Sequence, residues 1–176
     1  MTPSPDTPAR RPGAAVTLLA TLLLTGCASL DPDAGFGSVQ QSVHQHLGQD
    51  LRWERTDDDR HATDARLAQL LAKPLAAGDA VQIALLNHRG LQAAFDELGI
   101  AEADRVRALS APNPGIGYSR SQRGTERDSE VSLHFNLARL LALPLTAEVE
   151  SRRIAQLQSD TALRALSLAA DVRKAW

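Results

Sequence analysis

The hydrophobic positions of this chain change period twice after Asp79, from helical to alternating and back, and each stretch predicts its own element. Asp79 caps a helix over 79–111. Ala80 to Leu86 is almost continuously apolar, Asn87-His88-Arg89-Gly90 interrupts it, and Leu91, Phe95 and Leu98 resume at helical spacing towards Leu109. Pro112-Asn113-Pro114-Gly115 then stops the helix, because two prolines and a glycine cannot continue it. From Glu130 the period is two: Val131, Leu133, Phe135 and Leu137 alternate with Ser132, His134 and Asn136, giving a strand with one greasy and one wet face. Ile116 and Tyr118 alternate more weakly upstream, and polar Gln122 to Ser129 around Gly124 predicts the loop of a β-hairpin over 115–139. After Leu140-Leu141-Ala142-Leu143 the helical period returns, predicting a helix over 144–176 that opens at Pro144, where a missing N–H costs nothing. That helix carries two seams: Ala162, Ala165, Ala169, Val172 and Trp176 on one side, and Leu163, Leu166 and Ala170 on another.

Residues 38–78 read as a segment of short helices. Ser38 is placed to cap the first, with Val39, Val43 and Leu47 one turn apart. Charged Arg52 to Asp64, with Asp57-Asp58-Asp59, reads as a solvated loop, since no spaced ligand set accompanies the acids. A second helix over Thr63 to Lys73 places Leu67, Leu70 and Leu71 on one face, and Pro74 stops it. The Asp/Pro/Gly-rich residues 27–37 read as a tether.

Ahead of the tether, Arg10 and Arg11 precede an apolar run from Ala14 to Leu24 that falls short of the ~20 residues needed to cross a bilayer. A basic flank, a short apolar run and small residues at its end mark residues 1–26 as an export signal. Leu24-Thr25-Gly26-Cys27, which holds the single cysteine of the chain, resembles a bacterial lipobox. The resemblance implies cleavage before Cys27, covalent lipid on its sulfur and, with Ala28 next, an outer-membrane address. Several acyl chains make a stable tether where one does not.

Composition narrows the function classes. The chain is 43% hydrophobic yet 3% aromatic, an Ala/Leu mixture suited to closely packed long helices. A net charge of -2 offers nothing to nucleic acid and no polybasic surface for anionic lipid. No catalytic motif is present, so no enzyme and no cofactor beyond the lipid on Cys27 is expected. His44 and His46 face different directions on a helix, and His134 has no spaced partner, so neither suggests a metal site.

Several stretches together resemble the lipidated subgroup of the TolC-type outer-membrane efflux proteins. They are Pro74-Leu75 through Asp79-Ala80-Val81-Gln82-Ile83-Ala84-Leu85-Leu86-Asn87, then Leu91 to Ala103, then Ala111-Pro112-Asn113-Pro114-Gly115, and the strand running into Leu140 to Leu145. The resemblance implies a mainly α fold with a transmembrane β-hairpin, the helices joining an α-barrel and the strands an outer-membrane β-barrel shared by three chains. It also implies a passive duct for drugs or heavy-metal ions, served by a periplasmic adaptor and an inner-membrane pump. Physical reasoning agrees that two strands cannot close a barrel, and open strand edges are forbidden in lipid, so a spanning hairpin requires oligomerisation. Val131, Leu133, Phe135 and Leu137 would then meet lipid, and Ser132, His134 and Asn136 the lumen. Members of the family carry two repeats, whereas 79–176 holds the first, so a truncated product is expected. The competing expectation is a non-transporting structural or binding lipoprotein whose hairpin never enters the membrane.

Overall fold

A computed structural model describes residues 30–176. Leu24, Thr25, Gly26 and Cys27 lie outside the described residues, as do the signal and the first part of the tether. The described chain is mainly helical with one small antiparallel sheet.

Helix α1 (Phe36–Leu47) begins ahead of Ser38. Ala34 and Gly35 take left-handed backbone (φ 47° and 73°), and the Asp33 carboxylate accepts the Gly37 N–H at 2.7 Å, so the turn itself starts the helix. Ala34 and Phe36 are buried, and the Phe36 ring meets Phe95 edge-on at 4.9 Å. The end of the expected tether is therefore part of the folded body.

Helix α2 (Asp57–Leu71) corrects the loop expected around the three aspartates. Thr56 accepts the Asp59 N–H at 3.1 Å while Asp59 accepts the Thr56 N–H at 3.0 Å, a reciprocal cap that satisfies two orphan donors. Acids in the first turn also oppose the positive end of the helix dipole. Leu70 is buried, but Leu71 points outward, so the expected three-leucine face is not formed.

The single helix expected over 79–111 is instead two, α3 (Ala77–Asn87) and α4 (Arg89–Leu109), which meet at His88 within the polar interruption. Asp79 lies in the third position of α3, not at its cap, and accepts the Ala76 N–H at 3.1 Å. His88 Nδ1 accepts the Leu91 N–H at 3.2 Å and so caps α4.

The last helix, α5 (Leu137–Ala175), starts earlier than Pro144. Asn136 caps it by accepting the Arg139 N–H at 3.0 Å, which leaves Pro144 inside the helix rather than at its opening. A proline there removes one ladder bond.

The core is assembled by α5 lying against α1, α3 and α4. Val39, Val43, Val81, Leu85, Leu91, Phe95 and Leu98 pack with Ala162, Ala165 and Ala169. Small residues on α5 let the larger side chains of its neighbours fill the space between axes. Of the two predicted seams, the alanine one is buried as far as Val172, which is half-buried, while Leu163, Ala170 and Trp176 face outward.

Between α1 and α2 the chain has no regular secondary structure, and two glutamines bond its backbone as a neighbouring strand would. Gln82 accepts the Asp50 N–H (3.0 Å) and donates to its carbonyl (2.8 Å). Gln92 accepts the Glu54 N–H (3.0 Å) and donates to the Arg52 carbonyl (2.8 Å).

Candidate functional site

Strands β1 (Gly115–Arg123) and β2 (Glu126–His134) pair in continuous antiparallel register from Gly115 opposite His134 to Arg123 opposite Glu126. The eight-residue loop expected over Gln122 to Ser129 is instead a two-residue turn. Gly124, at φ 65°, supplies the left-handed backbone that a tight hairpin turn requires. Strand pairing thus extends through residues whose polarity resembles that of a loop.

Residues opposite one another share a face of the sheet. On one face lie Ile116 with Leu133 and Tyr118 with Val131, followed towards the turn by Arg120 with Ser129 and Gln122 with Arg127. The other face carries Gly115, Gly117, Ser119 and Ser121 opposite His134, Ser132, Glu130 and Asp128, then Arg123 opposite Glu126. The alternation expected for Val131, Ser132, Leu133 and His134 is therefore present.

Phe135, Asn136 and Leu137 depart from their expected place in the strand. The ladder ends at His134, Phe135 and Asn136 form the connection, and Leu137 is the first residue of α5. Alternation continues in the sequence beyond the paired backbone because Asn136 is used as a helix cap. Phe135 and Leu137 remain exposed beside the strand pair.

The hairpin makes no substantial packing against the helices. Ile116 is 77% exposed and Val131 72%, and Tyr118 and Leu133 are also exposed. A two-stranded hairpin alone in water is marginal at best, and contiguous exposed apolar residues mark an interaction surface.

The two helices that flank its base are joined to one another. Arg139 of α5 reaches the Arg107 carbonyl of α4 at 3.4 Å. Lower on α4, Glu102 is buried and receives the Arg105 guanidinium in two-pronged contact at 2.6 and 2.7 Å, together with the backbone N–H of Asp31 at 3.0 Å. The Arg105 hydrogen bonds, helped by the Asp31 N–H, hold the Glu102 carboxyl below its ordinary pKa against the opposing effect of burial. Nothing in sequence spacing marks this long-range contact.

The remaining candidates form no shared centre. His44 Nδ1 lies 3.1 Å from Asp50 Oδ1, His46 Nδ1 lies 2.7 Å from the Ser42 carbonyl, and His134 sits apart at the hairpin base. Among the described residues no group of three or more His, Cys, Asp or Glu is placed to hold a metal. No described helix is long and apolar enough to cross a membrane. Compared with family models, curated proteins and solved structures, the chain matches none.

Proposed function

We propose that this chain is a subunit of an outer-membrane channel that passively exports small toxic solutes, drugs or heavy-metal ions, and that it is anchored by lipid on Cys27. The observation that carries the reading is the projecting hairpin, whose apolar face at Ile116, Tyr118, Val131 and Leu133 is exposed and whose opposite face is polar. Membrane barrels require this alternation, with apolar residues outward and polar residues inward. Both hairpin edges need strand partners in lipid, which supports assembly with further copies, three by resemblance to the efflux family. The exposed leucines of α5, Leu141, Leu145 and Leu163, would pack against neighbouring helices in such an assembly. A periplasmic adaptor and an inner-membrane pump would supply the energy, since the proposed duct performs no catalysis.

One observation favours the structural-lipoprotein reading: the helical body completes its core within a single chain. Membrane fractionation with carbonate washing separates the two. A membrane-inserted subunit resists the wash even as the unlipidated Cys27→Ala protein. Release of that variant into the soluble fraction would overturn the channel reading.

A further inference from the structure

The apolar face of the hairpin changes character halfway along its length. Ile116, Tyr118, Val131 and Leu133 occupy the base, whereas Arg120 and Arg127 occupy the half nearer the turn on that same face. Ser129 stands opposite Arg120 and Gln122 opposite Arg127, so the two arginines are diagonal neighbours across the ladder, about 7–8 Å apart at the backbone. Neither forms an ion pair among the described residues.

The carboxylates that could neutralise them all lie on the other side of the sheet. Glu126, Asp128 and Glu130 share the face of Ser132 and His134. The pleat thus separates charge by sign, leaving two unpaired cations above an apolar band and three acids on the wet face. Two like charges at this spacing repel one another unless an anion lies between them.

We infer that Arg120 and Arg127 form a clamp for the phosphorylated headgroups of outer-leaflet lipid, placed where the apolar band of the hairpin ends. This rests on the channel reading, in which that face meets the membrane. Charge complementarity and order along the strand carry it: apolar side chains meet acyl chains, and planar guanidinium forks next along the face meet phosphate oxygens, which they bind in two-pronged fashion. The face supplies no carboxylate to compete.

The test uses the full lipidated chain, reconstituted in phosphatidylcholine vesicles containing either lipid A, a phosphorylated glycolipid, or its dephosphorylated form. Lipid retained after detergent extraction is counted by native mass spectrometry. The wild-type protein should retain the phosphorylated form preferentially. Replacing both arginines by glutamine should reduce that preference by about thirtyfold, the effect expected of two cations near an anionic membrane surface. Arg123→Gln, which removes a cation from the opposite face, should leave the preference unchanged.

Equal retention of both lipids, or equal loss in Arg123→Gln and Arg127→Gln, would overturn the clamp. So would abolition of the preference by excess inorganic phosphate, which would show a site for the free anion. Carbonate washing of matching vesicles that carry the unlipidated Cys27→Ala protein reports separately on the reading beneath it. Protein that stays embedded but lacks the preference disproves the clamp alone, whereas protein that washes off disproves membrane insertion as well.

Discussion

Gln82 holds both backbone groups of Asp50, accepting its N–H at 3.0 Å and donating to its carbonyl at 2.8 Å across 32 positions of sequence. One buried side-chain amide thereby does the work of a strand neighbour for the segment between α1 and α2. Gln82→Leu preserves volume while removing both bonds. It should cost about 1–3 kcal/mol, read from the midpoint of chemical denaturation with an unchanged slope. An unaltered midpoint would mean that the segment is held by other contacts.

The Glu102 carboxyl is depressed by Arg105 and by the Asp31 N–H, so its ionised form favours the folded state. The resulting stability is complete above the ordinary glutamate pKa and is lost as pH falls through the lower folded value. Acid titration of thermal unfolding should therefore show the wild type losing stability in that window and Glu102→Gln losing less there, from a lower starting point. Parallel curves for the two proteins would contradict this linkage.

Thr56→Ala removes the acceptor for the Asp59 N–H at the start of α2. The expected loss is about 1 kcal/mol. Hydrogen exchange should locate it, with faster exchange confined to the first turn of α2. A uniform change across the body would assign Thr56 a wider role.

Leu133 and His134 are adjacent in sequence and occupy opposite faces of the hairpin. In the proposed membrane orientation, Leu133→Arg places charge against lipid at a cost of up to about 2–4 kcal/mol, depending on depth, while His134→Arg leaves it in the lumen. In the unlipidated Cys27→Ala background, carbonate extraction should release the first variant and retain the second. Equal behaviour would count against a two-sided hairpin in the membrane.

The elements most legible in the sequence were those with the strongest local chemistry. His88 broke the α3–α4 run where the polar interruption fell, Leu91, Phe95 and Leu98 all reached the core, and Pro112 to Gly115 separated helix from hairpin. Polar strand residues were harder. Gln122 and Arg127 pair across a sheet with no buried face, so they leave no hydrophobic trace of their register. Asp57 to Asp59 resembled a solvated charge run because the signal lay in Thr56 and its spacing to Asp59, not in apolar periodicity. Phe135 to Leu137 show the opposite error, since alternation of residue type continued after strand pairing had ended. Contacts such as Gln82 with Asp50 and Glu102 with Asp31 join distant parts of the chain and have no local signature at all.

The pinning of Asp31 to Glu102 turns the preceding residues into a short leash. Four peptide steps separate Asp31 from Cys27, a contour of at most about 14 Å. Glu102 itself lies about 10 Å along the helix axis below Leu109, where α4 gives way to the hairpin approach. On the proposed reading, an acyl group on Cys27 is therefore held within about 14 Å of the Asp31 contact on α4, so Glu102 helps to limit how far lipid anchor and strands can stand apart.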